Sequence, residues 1–254
     1  MIRIKNKEQI DGIRKSCHEL CKLLDILEDG YLKEGMSTKL IDDFCYEYMV
    51  KRGWTPAFKD YGGFPNTACI SVNDEIIHGI PSAKRIIKNG DLISIDLGIC
   101  LDGYFSDSAR TLIVGGKSSP ENEKLCKVTR ECLLRGCEAA GKKHARVQTI
   151  GKAVYDHAHA NNFGVVREYC GHGVGLEVHE SPEIPNYVSM LSPNPRLRPG
   201  MVIAIEPMIN RGGDAIADDD PNGWTVRTAD GLPSAHFEHT CVVLSDGVEI
   251  LTQL

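Results

Sequence analysis

Two aspartates eleven positions apart, Asp96 and Asp107, flank a turn signal and could hold a cation between them. Asp96 lies in Leu92-Ile-Ser-Ile-Asp96-Leu-Gly, a strand-like apolar run where a carboxylate buried without a partner is costly. Leu101-Asp-Gly-Tyr104 follows, and Asp-Gly at its centre is a strong two-residue hairpin signal. With Asp102 and Gly103 as the turn, Asp107 opposes Gly98, and Asp96 shares the face of Gly98 because strand side chains alternate. The two acids become diagonal neighbours, their Cβ atoms somewhat under about 7–8 Å apart. A cation between them would resolve their repulsion; two solvated surface aspartates are the other reading of this spacing.

Three residues of the carboxyl half add to the set. Glu206 ends the apolar run Met201-Val-Ile-Ala-Ile-Glu206 and precedes Pro207, while Glu238 opens another in His236-Phe-Glu238-His-Thr-Cys-Val-Val-Leu. Each puts an acid at the mouth of a run that belongs in a core. His172, in Gly171-His-Gly-Val-Gly175, offers the nitrogen a carboxylate-rich metal site could use, although a histidine in a glycine-rich loop also serves as a turn residue. Other motifs fail. Gly116-Lys117-Ser118 has Thr111 where a phosphate-binding loop needs its first glycine. Asp218-Asp-Asp220-Pro-Asn222-Gly223 starts like a calcium loop, but Ala229 stands where the bidentate glutamate belongs. His179-Glu180 lacks the second histidine of a zinc-binding helix, and no G-x-S-x-G elbow occurs.

Asp96, Asp107, His172, Glu206 and Glu238, separated by 11, 65, 34 and 32 residues by subtraction, resemble in order the five metal ligands of the methionine aminopeptidase family. The flanking words agree: Cys69-Ile-Ser-Val-Asn-Asp-Glu-Ile-Ile-His78-Gly-Ile-Pro81, Gly171-His-Gly-Val-Gly175, Ile205-Glu-Pro-Met208 and Phe237-Glu-His-Thr240. The similarity spans nearly the whole chain. Only 34 residues separate His172 from Glu206, as in the short type I enzymes, leaving no room for the helical insertion of type II. The resemblance implies an α+β, pita-bread metallopeptidase fold and a pair of divalent ions. His172, Glu206, Asp107 and Glu238 would hold one ion; Asp96, Asp107 and Glu238 would hold the other, with Asp107 and Glu238 shared. Such ions lower the pKa of water, polarise a scissile carbonyl and anchor an amino group. Oxygen ligands with one imidazole suit Mn2+, Fe2+, Co2+ or Zn2+ alike.

By the same resemblance His179 would donate a hydrogen bond to the developing oxyanion. His78 would contact the peptide nitrogen or leaving amine, and Glu206 would shuttle a proton. His239 would support Glu238 from behind, whereas His157 and His159, on a predicted helix, have no catalytic part. The methionine pocket would be lined by Phe58, Tyr61, Phe64, Cys69, His78, His179 and Trp224, since sulfur–aromatic contacts favour a thioether by about 0.3–1.5 kcal/mol each; packing a core is the ordinary use of such aromatics. Phe58 and Phe64 stand where relatives can carry Cys or Tyr, and Val178 replaces a larger residue, often Phe. The implied activity is removal of initiator methionine from nascent proteins when the second residue is small. The chain's own Met1 would persist, because Ile2 is bulky. A proline-specific (Xaa-Pro) peptidase and a metal-free binding module of the same fold are the alternatives; the former usually has a large extra amino-terminal domain, and only about 90 residues precede Asp96. Nascent-chain termini are the expected partners, with transient ribosome contact open and a monomer expected.

These residues need elements to position them. Apolar residues at Ile10, Ile13, Cys17, Leu20, Cys21, Leu24 and Leu27 predict a helix over Lys7–Asp29, ending at Gly30. Ser37 can cap a second helix running to about Arg52. Turn dipeptides among Ile, Val and Ser predict strands and hairpins from Pro56 to Gly116. Ser119-Pro120 then opens a helix to about Ala140, followed by one over Arg146–Asn161. Strands over Met201–Glu206, His236–Leu244 and Val248–Leu251 close the chain. A helix pair followed by strands, twice, suggests two similar halves, and without a linker-like stretch we expect one catalytic domain over 1–254.

Composition narrows the setting. Against 29 Lys and Arg stand 35 Asp and Glu, a net charge of −6, which with no basic run argues against a nucleic-acid or anionic-membrane binder. The apolar runs are far shorter than the roughly 18 residues of a membrane span, and the polar amino terminus reads as no signal peptide. Ten cysteines without a C-x-x-C pair read as reduced, mostly buried thiols of a cytoplasmic protein.

Overall fold

In the computed structural model, which describes residues 1–217 and 220–253, side-chain caps set the ends of the first helix pair. Asn6 accepts from the Gln9 backbone and Gln9 returns the bond, starting α1 (Lys7–Ile26). The helix stops short of Asp29 because its last turn widens over Leu27–Tyr31 and Gly30 takes φ 101°. Ser37 accepts from Leu40 to start α2 (Thr38–Val50). The second pair is α3 (Pro120–Ala140), capped by Ser119, and α4 (Val147–Ala160). Among the described residues no helix is long and apolar enough to cross a membrane.

Each helix pair lies against an antiparallel sheet. In the first, β2 (Leu92–Leu101) carries β1 (Ala68–Val72) and the short Thr55–Pro56 strand on one edge and β3 (Tyr104–Ile113) on the other. Leu20, Leu24, Ile41 and Met49 of α1 and α2 bury against Ile70, Ile93, Ile95 and Leu97. The second sheet contains β4 (Gly171–Gly173), β5 (Glu180–Ile184), β6 (Val202–Ile205), β7 (His239–Val243) and β8 (Val248–Ile250), in the order β8-β7-β6-β4-β5. Leu133, Cys137, Val147 and Ile150 of α3 and α4 cover Ile203, Ile205 and Cys241 there. The first half of α1 also touches the second sheet, where Ile13 and Cys17 meet Val174, Val202 and Val242. The order helix pair then sheet, twice, agrees with the expected two similar halves. All ten cysteines are free and most are buried, serving as small apolar side chains.

The predicted hairpin is present, with Asp102 and Gly103 at φ 53° and 85° and Asp107 opposite Gly98. The long strand expected over His236–Leu244 is instead broken. Ser234–His236 pairs with Met208–Asn210, whereas β7 pairs with β6, so Phe237 and Glu238 fall between two sheets. Glu206 and Pro207 occupy the matching gap on the facing chain. Pro207 has no N–H to give a ladder, and the Glu238 N–H turns aside to the Ala109 carbonyl of β3 at 2.9 Å.

Candidate active site

The gap at Phe237-Glu238 brings Glu238 against β3, and Glu206 stands beside His172. Ser108 Oγ donates to the Glu238 carbonyl (2.8 Å), Thr240 Oγ1 to the Asp107 carbonyl (2.7 Å), and Thr111 Oγ1 to the His236 carbonyl (2.8 Å). These hydroxyls satisfy backbone groups that neither sheet can pair, and they join the sheets where Asp107 and Glu238 emerge. Asp96, two residues from Gly98 on the neighbouring strand, stands diagonally across from Asp107. His172 arrives on β4, beside β6.

One cavity of about 220 Å³ is lined by Asp96, Asp107, His172, Glu206 and Glu238 together with Phe58, Tyr61, Phe64, Cys69, His78, His179 and Trp224. Every residue singled out for the centre and pocket therefore borders the same space. One donor atom each from Asp107, His172 and Glu238 lies within 4.8 Å of the others. His172 Nε2 is 3.8 Å from Asp107 Oδ2 and 3.5 Å from Glu206 Oε1. Its Nδ1–H donates to the Gly173 carbonyl at 2.9 Å, which leaves the Nε2 lone pair facing the acids.

Burial without partners raises the carboxyls far from their ordinary range. It pushes Asp96 up to about 7 and Glu206 up to about 8, and holds Asp107 and Glu238 well above normal with help from neighbouring acids. Burial likewise lowers His172 to about 3 and His78 to about 4, so both imidazoles are neutral. Asp96 Oδ1, Asp107 Oδ1 and Glu238 Oε1 are closed to solvent and accept no hydrogen bond. Orphaned inner oxygens beside one free imidazole lone pair are the donor set a divalent cation requires, and a cation there removes the cost of collecting the acids.

Around this centre His179 lies 4.1 Å from the His172 ring and 5.1 Å from Tyr61, by centroids. His78 stands edge-on to Tyr169 and Trp224. It adopts φ 56°, a left-handed conformation unusual for histidine, on a turn pressed onto β1. Gly79 makes that approach possible, for a Cβ there would be 2.2 Å from the Ile70 carbonyl oxygen. Val178 packs with Ala57, Phe58, Phe64 and Cys69, closing that wall with a small side chain.

Other residues lie elsewhere. His239 bonds Thr252 Oγ1 at 2.9 Å, and Thr240, not His239, reaches the backbone of a centre residue. His157 pairs with Glu131 (2.7 Å) and His159 stacks on Tyr155, both on α4. Asp218 and Asp219, which open the rejected calcium loop, lie outside the described residues; Asp220 accepts from Arg227 at 2.8 Å. Sequence reasoning missed His236. It is buried, its Nε2 has no hydrogen-bond partner, and it stands 3.6 Å from Glu206 Oε2. Its place two residues before Glu238 was the available signal, since alternate residues share a strand face.

Comparison with known proteins shows the family. The profile of metallopeptidase family M24 matches residues 11–245. A methionine aminopeptidase of Treponema pallidum is 51% identical over 253 residues, covering 100% of this chain and 97% of that one. The crystal structure of methionine aminopeptidase from Rickettsia prowazekii superposes with TM-score 0.94 at 35% identity, covering 100% of both chains. Prolidase from Pyrococcus furiosus has the same fold at TM-score 0.78 and 27% identity; this chain covers 65% of it.

Proposed function

Because the chain belongs to metallopeptidase family M24, we propose that it releases the initiator methionine from new proteins whose second residue is small, at a centre of two divalent ions. Metal-dependent removal of amino-terminal methionine is its activity. What supports the finer reading is one cavity in which partnerless carboxylate oxygens meet a wall of Phe58, Phe64, Cys69 and Trp224. The whole chain would act as one catalytic domain in the cytoplasm.

Asp96 would hold one ion and His172 with Glu206 the other, while Asp107 and Glu238 would be shared. Bound there, Mn2+, Fe2+, Co2+ or Zn2+ would supply Lewis acidity toward water and the scissile carbonyl. Glu206 would take a proton at a carboxylate oxygen from the attacking water and return it to the departing amine. His179 would donate its ring N–H to the carbonyl oxygen as charge develops there. His78, kept neutral by burial, would donate to the peptide linkage on the leaving side. The aromatic and sulfur wall would receive the thioether.

The test compares methionine release from Met-Ala-Ser and Met-Ile-Ser with cleavage of Ala-Pro, each with Mn2+ and with chelator. Metal-dependent cleavage of Met-Ala-Ser, with Met-Ile-Ser and Ala-Pro poor, is expected. Faster cleavage of Ala-Pro would favour a proline-specific enzyme, and no cleavage of any peptide would favour a binding module. Against the proline reading, this chain is 27% identical to the prolidase and 51% identical to the methionine aminopeptidase of Treponema pallidum.

A further inference from the structure

The hairpin that carries His172 and His179 is fastened from outside by the first residues of the chain. Lys5 Nζ lies 2.8 Å from Glu180 Oε2, and the two side chains are 1% and 2% exposed, the most deeply buried ion pair of opposite charges among the described residues. The other Glu180 oxygen accepts from the backbone N–H groups of Leu176 (2.7 Å) and Glu177 (3.2 Å), closing the loop that ends in Val178 and His179. Lys5 is itself anchored, its N–H donating to the Gly200 carbonyl at 2.8 Å. Gly175 makes the room: at φ 125° it lies so close to Ile13 and the Lys5 stem that a Cβ would stand 2.4 Å from Ile13 Cδ1. Arg3 adds an exposed contact to Glu177, worth little in water.

A buried ion pair is a poor way to gain stability, because desolvating both charges offsets most of their attraction, but it fixes geometry. Here the geometry fixed is that of His179, the residue immediately before Glu180, whose ring sits 4.1 Å from His172. We propose that Lys5 and Glu180 are positioning residues, a strap from the amino terminus that sets where His179 stands against the scissile carbonyl. This rests on the role given to His179 above. Neither residue lines the cavity, so neither touches substrate.

The experiment uses the full chain loaded with Mn2+ and the Met-Ala-Ser peptide. Lys5→Met alone leaves Glu180 buried and uncompensated, so Lys5→Met with Glu180→Gln is made beside it to keep shape without charge. In whichever variants fold by circular dichroism, kcat should fall about ten- to hundredfold, with KM and Mn2+ affinity within about twofold of the parent. In a His179→Ala background the same substitutions should cost less than about twofold, because the group they position is gone. A folded double variant with parental kcat, an equal loss in the His179→Ala background, or a matching loss of Mn2+ affinity would each overturn the strap. A parent chain that releases no methionine would instead overturn the function proposed above, whatever the variants do.

Discussion

Glu238 is the acid on which the largest single-residue effects converge. It is 2% exposed, one of its oxygens has no partner, and burial with the charges of Asp107 and Glu206 resists its ionisation. Glu238→Gln keeps the shape of the protonated acid and removes its ability to ionise for a cation. Without metal the variant should melt at a higher temperature than the parent, because folding no longer has to bind a proton at this buried acid. With metal the order should reverse. Mn2+ affinity should drop by more than about 100-fold, beyond what loss of a merely supporting group costs. Melts in chelator and in Mn2+ together with titration calorimetry check both. Parental affinity in the variant would remove Glu238 from the ligand set. His172 and His78 differ in what places them. His172 is held by its own neighbour's carbonyl, whereas His78 depends on a left-handed turn.

That turn belongs to the scale of elements, where Gly79 lets the His78 loop lie on β1 with 2.2 Å between an added Cβ and the Ile70 oxygen. Gly79→Ala should destabilise by about 1–3 kcal/mol, as overpacking against rigid backbone does, and should lower kcat while Mn2+ affinity stays within about twofold. Denaturant melts and calorimetry separate the two effects, and unchanged kcat would detach His78 from the reaction. At this scale the sequence was legible in part. The Asp102-Gly103 turn alone dictates the register that makes Asp96 and Asp107 diagonal, because a two-residue loop leaves no freedom. Caps at Ser37 and Ser119 start helices where expected. The break between Ser234–His236 and β7 was not legible, because an unbroken apolar run with an acid in it looks like one strand whichever chain it pairs with. Read as one strand, the run does place His236 on the face of Glu238, whereas the convergence of Glu206 and Glu238 comes from resemblance and not from periodicity.

Across the whole molecule, metal, protons and folding are one equilibrium. Unfolded carboxyls titrate near 4 and unfolded histidines near 6.5. Between about pH 6.5 and 8 the metal-free folded chain still holds protons on Asp96, raised to about 7, and Glu206, raised to about 8, that the unfolded chain has already released. The folded state binds more protons, so stability in chelator should fall as pH rises through this window. Below about 6.5 the buried neutral His78 and His172 act in the opposite sense, favouring the folded state as pH rises. Mn2+ displaces the carboxyl protons, so the stabilisation it gives should grow from pH 6.5 to 8. Thermal melts at both pH values, with chelator and with Mn2+, read this directly; a chelated protein that melts higher at pH 8 contradicts it. The matched interruptions at Glu206-Pro207 and Phe237-Glu238 carry a further consequence for how this chain can change over generations. Adding or deleting one residue on either side would rotate everything beyond it to the opposite surface, so a viable indel here would need its twin about thirty residues away. Length at this joint is frozen by arithmetic, and drift in it is confined to substitutions.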